Sequence, residues 1–255
     1  MSRTLRIAVL LVVLAFVALS AWTSRLRLSG WERTHWVAVY PINAEGTAAV
    51  DAYIDGLRAA DLEPLERWFG RWATHHDATI ERPFDFHLAP RVADAPPPPP
   101  QRGELLATML WSLRMRWWAW RHDTFEGPAS LQVFVAYHDP EQRRRVAHSL
   151  GLRKGGIGVV NGFGAPAYAG RNNVVIAHEL LHLVGASDKY DPETGRPIHP
   201  QGYADPGRRP LLPQRRAEIM GATIPLGPRE TVMPPTLADA VVGPATAREI
   251  GWSGG

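Results

Sequence analysis

Hydrophobic positions alternate with polar ones in some stretches of the chain and recur every three or four residues in others. Alternation rich in β-branched and aromatic residues predicts strands at 36–42, 84–88, 131–137 and 156–161. Helical spacing predicts helices at 47–60, 65–72, 103–121, 173–184 and 237–250. Because the two kinds of element are interspersed over 255 residues that are 45% hydrophobic, we expect one α/β domain.

The segment 103–121 is the longest predicted amphipathic helix. One side carries an apolar stripe of Leu106, Leu110, Leu113, Trp117 and Trp120, and the arginines Arg114, Arg116 and Arg121 lie elsewhere on the helix. The tryptophans and arginines also suit a membrane surface. A domain of this size needs a helix that covers its core, so a core-facing stripe is the favoured interpretation.

The motif His178-Glu179-x-x-His182 lies within an apolar helical segment. Residues four apart lie on the same face of a helix, so both imidazoles can bind one divalent metal, and imidazole suits Zn²⁺. Glu179 follows His178 by about 100° of rotation, which places a carboxylate beside the metal as a candidate general base. Such motifs also occur by chance on ordinary helices, where each His is merely a packed or solvated side chain.

Gly185 and Asp188 extend this motif at regular spacing. A glycine readily ends a helix in a left-handed conformation, and a turn there brings the carboxylate of Asp188 towards the two imidazoles. Two His, one Asp and one open position for water form the pattern of a catalytic zinc site.

The eleven residues His178-Glu179-x-x-His182-x-x-Gly185-x-x-Asp188 resemble the extended zinc signature of the metzincin metalloproteases, in the snapalysin-like variant with Asp as third ligand. Most metzincins carry His at that position. Downstream, Glu218-Ile219-Met220-Gly221 is similar to the metzincin Met-turn, in which Met220 lies beneath the metal.

The resemblance implies a mixed, twisted sheet with backing helices, a zinc-binding helix across it, and a Met-turn. It also implies that the strand before the zinc helix forms the upper rim of the cleft and pairs with an extended peptide substrate. That strand comprises Gly156, Ile157, Gly158, Val159, Val160 and Asn161.

A long loop rich in proline and glycine follows Asp188 and runs to residue 213. Tyr190 and Tyr203 are candidates for a hydroxyl that stabilises an oxyanion, and His199 is a candidate competitor for the metal. The acidic group of Asp188, Asp191 and Glu193 is a candidate Ca²⁺ site, although it lacks the spacing of an EF-hand loop.

Residues 1–22 begin with Arg3 and Arg6 and continue as an uninterrupted apolar run. This pattern predicts a signal peptide or a membrane anchor, with 23–35 as a linker and 36–255 as the catalytic domain. The run 7–22 extends about 24 Å as a helix, slightly less than a bilayer core, so its length favours neither alternative. In either case we expect the domain to lie outside the cytoplasmic membrane, anchored there, periplasmic or secreted.

Composition excludes several classes of protein. The chain has no cysteine, which rules out thiolate zinc sites, cysteine nucleophiles and disulfides. Its net charge of +3 falls to +1 without Arg3 and Arg6, so we expect no nucleic-acid partner.

Three functions remain consistent with these patterns. The first is an exported zinc-dependent endopeptidase that acts on peptides or proteins. The second is a cell-wall peptide or amide hydrolase with the same zinc site. The third is a membrane-tethered binding protein with a structural metal, in which His199, Asp191 or Glu193 fills the fourth position.

Overall fold

The computed structural model describes residues 30–100, 105–146, 149–152 and 155–252. The sheet strands are β1 (His35–Asn43), β2 (Phe84–Leu88), β3 (Leu131–His138), β4 (Leu150–Leu152) and β5 (Ile157–Phe163). The helices are α1 (Ala48–Gly56), α2 (Glu63–His75), α3 (Leu105–Arg121), α4 (Ala169–Val184) and α5 (Pro244–Glu249). Short strands β6 (Ala217–Glu218), β7 (Ile224–Pro225), β8 (Thr231–Val232) and β9 (Ala240–Val241) lie in the last part.

The five long strands form one mixed sheet in the order β2-β1-β3-β5-β4. Neighbours among the first four are parallel, whereas the edge strand β4 runs antiparallel to β5. β1 and β3 are almost entirely buried, as expected for parallel strands covered by helices on both faces. The predicted mixed α/β fold and all four predicted strands are confirmed.

The two faces of the sheet support two separate hydrophobic cores. Val37 and Val39 of β1 point into the larger core, which also holds Trp68 and Phe69 of α2 and Leu180 of α4. The alternate residues of β1 point into the smaller core on the opposite face, which α3 covers; its members include Ala38, Tyr40, Ile42, Met115, Trp118, Ala119 and Phe134. The helix α4 therefore lies on the face opposite α3.

The orientation expected for α3 is wrong. Leu106, Leu110, Leu113, Trp117 and Trp120 are all exposed, and the helix instead packs through Met115, Trp118 and Ala119. The helix has apolar residues on two sides, and Trp118 fits edge-on against Phe134 of β3 with ring centroids 4.7 Å apart. Periodicity located an apolar stripe on α3, but it did not identify which side of the helix packs on the sheet.

The rim expected at residues 156–161 is also corrected. Ile157, Gly158 and Val159 pair with β4, and the Asn161 backbone N–H donates to Ser149 Oγ at 3.0 Å. Ile157, Gly158 and Val159 therefore lie between β3 and β4 and do not form an open edge. The outer edge of the described sheet on this side belongs to β4.

The folded unit extends into the predicted linker 23–35. Trp31 is 7% exposed, and its indole donates a hydrogen bond to the carbonyl of Ile250. His35 begins β1 and is also buried. The predicted signal peptide or anchor at 1–22 lies outside the described residues. Within the part of the chain that the structure describes, no helix has the length and apolar character needed to cross a bilayer.

The C-terminal region contains less helix than its pattern predicts. A 3₁₀ turn at Leu237–Asp239 is followed by β9, and only Pro244–Glu249 is α-helical. Pro244 occupies the first turn of α5, where its missing N–H costs nothing. The strand β9 pairs with β6, which directly precedes the turn that contains Met220.

Candidate metal centre

The helix α4 holds the two histidines rigidly against the larger core. Leu180 and Leu181 are fully buried and Leu183 is 2% exposed, so one side of the helix is fixed by packing. The helix ends at Gly185, whose φ of +126° is disfavoured for other residues. The Ala186 N–H then donates back to the Leu181 carbonyl at 2.9 Å, and the chain turns toward Asp188. The predicted helix and its terminating turn are confirmed.

Three ligand-type atoms from His178, His182 and Asp188 converge beyond this turn. The two Nε2 atoms lie 3.1 Å apart. Asp188 Oδ1 lies 3.3 Å from Nε2 of His178 and 3.0 Å from Nε2 of His182. These residues form the one group of three potential metal ligands found among the described residues.

This triangle has the dimensions of a tetrahedral zinc site. Ligand atoms about 2.0–2.1 Å from a tetrahedral ion are separated from one another by about 3.3 Å. The observed separations of 3.0–3.3 Å are close to that value. The donor set of two imidazoles and one carboxylate also matches that of catalytic zinc sites. The residues present therefore fit the metal that the sequence predicts.

Backbone carbonyls fix the orientation of both imidazoles. Nδ1 of His178 lies 2.9 Å from the carbonyl oxygen of Ile219, and Nδ1 of His182 lies 3.0 Å from that of Ala186. A carbonyl oxygen only accepts, so we assign the proton to Nδ1 in both rings. Each neutral imidazole then presents a lone pair at Nε2. Two lone pairs and a carboxylate oxygen at this distance repel one another unless a cation lies between them.

The turn that carries Met220 lies beneath α4. Met220 is fully buried in the core with Leu180, and its carbonyl accepts a hydrogen bond from the Lys189 N–H at 2.9 Å. A Cβ atom at Gly221 would clash with the carbonyl oxygen of Gly202, so this turn and the long loop touch through their backbones. The turn thus contributes its Ile219 carbonyl to His178 and holds the chain that follows Asp188.

Glu249 of α5 braces both chain neighbours of Asp188. Its carboxylate accepts from the Ser187 N–H at 2.8 Å, from the Ser187 hydroxyl at 2.7 Å and from Lys189 Nζ at 2.7 Å. Burial alone raises the pKa of Glu249, but the hydrogen bonds and charge of Lys189 and Ser187 lower it below its ordinary value. Asp188 is therefore held on both sides by a residue from the end of the described chain.

Glu218 ties the same turn to α5. Its carboxylate is fully buried and accepts from the Gly221 N–H at 2.9 Å, the Gly243 N–H at 3.0 Å and the Thr246 hydroxyl at 2.6 Å. Burial raises the pKa of Glu218, and these hydrogen bonds oppose the rise. No local pattern indicates this role, because an isolated Glu two residues before Met220 resembles any surface carboxylate.

The candidate general base Glu179 is 7% exposed and lies next to His178. Burial alone lowers the pKa of His178, but the hydrogen bond with Asp188, the charge of Glu179 and the Ile219 carbonyl raise it above its ordinary value. Burial alone raises the pKa of Asp188, whereas the two imidazoles lower it well below its ordinary value. Asp188 thus favours its ionised form, which is the form that binds a metal.

The two candidate tyrosines differ in their position. The ring of Tyr190 stacks at 6.4 Å from that of His178, so it lies beside the ligand cluster. Tyr203 instead packs against His199, with ring centroids 5.2 Å apart. His199 is exposed, and its Nε2 lies 3.3 Å from the Pro206 carbonyl. Of the two tyrosines, Tyr190 is therefore the one placed next to the site.

The three acidic residues of the candidate Ca²⁺ site do not converge. Asp188 faces the imidazoles. Asp191 Oδ1 instead caps its own turn by accepting from the backbone N–H groups of Glu193 and Thr194 and from the Thr194 hydroxyl. The geometry gives the calcium prediction no support.

Comparison of the sequence with protein-family models and with curated proteins gives no match. The chemical assignment of the site therefore depends on the residues themselves and on their arrangement.

Proposed function

We propose that this chain is an exported, zinc-dependent endopeptidase of metzincin type. The observation that carries the proposal is the triangle of His178 Nε2, His182 Nε2 and Asp188 Oδ1, with both Nδ1 atoms bound to carbonyl oxygens. A packed surface histidine needs none of these features. A single proton shared with Asp188 would neutralise one contact of the triangle, whereas a divalent cation neutralises all three.

His178, His182 and Asp188 would hold the zinc, which would supply a Lewis acid for a peptide carbonyl and make water easier to deprotonate. Glu179 accepts a proton at a carboxylate oxygen from the attacking water. It then returns that proton to the amine nitrogen as the peptide bond breaks. Tyr190, whose ring lies beside that of His178, would donate its hydroxyl hydrogen to the developing oxyanion.

The surroundings of the ligands support a catalytic site over a structural one. Two of the three candidates for a fourth ligand have other partners: His199 packs on Tyr203, and Asp191 caps its turn. The side chain of Asp188 is 41% exposed, so the cluster opens to solvent on that side. A structural zinc site is instead closed by four protein ligands.

The edge of the sheet supports a peptide as the substrate. β4 is an edge strand that pairs with β5, and β5 leads through a short turn into α4. An extended peptide that adds to this edge would be recognised through its backbone, with little demand on its sequence. This suits hydrolysis of unfolded or extended proteins.

The test is the variant Glu179→Ala, with Glu193→Ala on the exposed loop as matched control. We expect Glu179→Ala to keep stoichiometric zinc and to cleave a denatured protein about 10²–10⁴-fold more slowly, because it lacks the proton acceptor. Glu193→Ala should match the parent in both assays. The measurements are metal analysis by mass spectrometry and peptide release.

Full activity in Glu179→Ala would rule the mechanism out. Zinc binding without cleavage of denatured protein by the parent chain would instead favour the binding-protein alternative. Parallel incubation with purified cell wall separates the remaining alternative, since a wall hydrolase releases wall peptides and leaves the denatured protein intact.

A further inference from the structure

The outward face of α3 is an exposed apolar stripe. Its side chains are large and their exposed fractions are high: Leu106 75%, Met109 50%, Leu110 61%, Leu113 37%, Trp117 57% and Trp120 73%. A soluble monomer seldom exposes so many large apolar side chains along one helix, and a contiguous patch of this kind marks an interaction site.

The helix geometry arranges α3 in three zones. With about 100° per residue, the six exposed apolar residues fall within an arc of about 100°. Met115, Trp118 and Ala119, which pack on the sheet, lie on the opposite side. Arg114 and Arg121 lie about 70–90° to one side of the stripe centre, and Arg116 lies about 70° to the other.

The charged side chains of this helix are all positive. Between Leu105 and Arg121 there are three arginines and no aspartate or glutamate. Arg114 and Arg121 are exposed, and the guanidinium of Arg121 lies 5.6 Å from the ring centre of Trp117. Two exposed cationic side chains, Arg114 and Arg121, therefore flank the apolar stripe on one side, whereas Arg116 on the other side is half-buried.

We propose that α3 binds the surface of an anionic phospholipid bilayer, with its apolar stripe inserted at the headgroup boundary. An apolar stripe with Trp and Leu at its centre and exposed arginines along one flank has the chemistry of an interfacial helix. Tryptophan is enriched at that depth of the membrane. Arg114 and Arg121 meet lipid phosphates while Leu110, Leu113 and Trp117 leave water.

A second copy of the chain fits this stripe less well. A stable protein interface takes about 20–30 residues from each partner, with charges depleted at its centre. The stripe offers six residues in a single row, bordered closely by arginines. A bilayer surface needs no complementary shape. It can bury the apolar stripe of α3 while its lipid phosphates bind the neighbouring arginines.

The beginning of the chain points to the same partner. The apolar run 7–22 is predicted to enter a membrane as a signal peptide or anchor. Gly30 is the first described residue, and the chain between residues 22 and 30 spans at most about 28 Å. An anchored chain would therefore keep the domain beside a bilayer.

The lack of cysteine allows a direct test on the full chain. One nitroxide label is placed at Leu113→Cys, in the centre of the stripe. A second chain carries it at Asp55→Cys, whose native side chain is 69% exposed on α1 on the other face of the sheet. Each labelled chain is reconstituted in vesicles of phosphatidylcholine alone and of phosphatidylcholine with phosphatidylglycerol, and in detergent micelles.

In the anionic vesicles, we expect the label at 113 to be several-fold less accessible to an aqueous nickel complex and to remain accessible to oxygen. The label at 55 should stay open to nickel in every case. Replacing Arg114→Gln and Arg121→Gln together should reduce the protection at 113, whereas Arg67→Gln on the exposed side of α2 should not.

Three results would overturn the proposal. The first is a label at 113 that stays open to nickel in the anionic vesicles. The second is equal protection in neutral and anionic vesicles, which removes the role assigned to the arginines. The third is protection with spin–spin coupling that persists in detergent micelles, which identifies a second copy as the partner. Circular dichroism of every variant verifies that the fold is retained.

Discussion

The helices α3 and α4 cover opposite faces of one sheet and use their apolar residues in opposite ways. α4 buries Leu180 and Leu181 completely, and this packing holds two imidazoles in one orientation. α3 buries a few residues and leaves its most regular apolar stripe exposed. A regular apolar stripe thus marks the packed side of α4 but the exposed side of α3, so periodicity alone does not identify the side of a helix that meets the core.

Removing one candidate ligand tests whether α4 holds a metal. We expect His182→Ala to lose zinc binding and hydrolysis to background, because two donors remain and the open side of the cluster widens. The control His199→Ala removes an exposed imidazole outside the cluster and should keep both. Equal metal content in the two purified variants would contradict the site.

A leucine pair compares the two helices directly. Leu180→Ala on α4 should lower the free energy of unfolding by about 2–5 kcal/mol, since it leaves a cavity in a fully packed core. Leu110→Ala on α3, at a side chain that is 61% exposed, should change it by less than about 0.5 kcal/mol. Urea denaturation followed by circular dichroism measures both, and similar losses would mean that the α3 stripe is packed.

Glu249→Gln probes the brace around Asp188 without touching a ligand. It removes the ion pair with Lys189 and should weaken zinc affinity by about tenfold, at the low end for residues that orient a metal site. Competition with a chromogenic chelator gives the affinity. Glu193→Gln on the loop is the control, and unchanged affinity in Glu249→Gln would show that Asp188 needs no such support.

A substitution in the exposed apolar stripe of α3 should have the smallest effect on stability and zinc content. Trp120→Ser replaces a side chain that is 73% exposed, so thermal stability and zinc content should match the parent. Vesicle association of the labelled full chain is the property that should change. A loss of zinc or a lower unfolding temperature would show that α3 and the metal centre are coupled through the sheet.

The sequence predicted the main strands, the helix α4 and the convergence of His178, His182 and Asp188, because a regular period and fixed spacing express them locally. The turn at Gly185 was predictable for the same reason. The carbonyls of Ile219 and Ala186 were not, since every residue carries a carbonyl and only tertiary structure selects one. The burial of Glu218 and the brace from Glu249 join residues far apart in the chain, which no local pattern records.

The orientation of α3 and the position of the sheet edge were missed for a related reason. Both depend on which neighbouring element packs at a given surface in the folded protein. Trp118 packs on the sheet, and β4 pairs with the edge of β5. Single-strand and single-helix patterns carry no information about such competition.

The brace from Glu249 also sets an order of events during synthesis. Glu249 lies 60 residues beyond Lys189, whose ammonium it binds beside Asp188. A growing chain can form α4 and bring its two histidines together well before α5 exists. Asp188 is braced only after the chain through residue 249 has emerged, so the cluster of His178, His182 and Asp188 is among the last parts to be completed. A chain interrupted before that point would contain all three residues and still lack the support that positions Asp188.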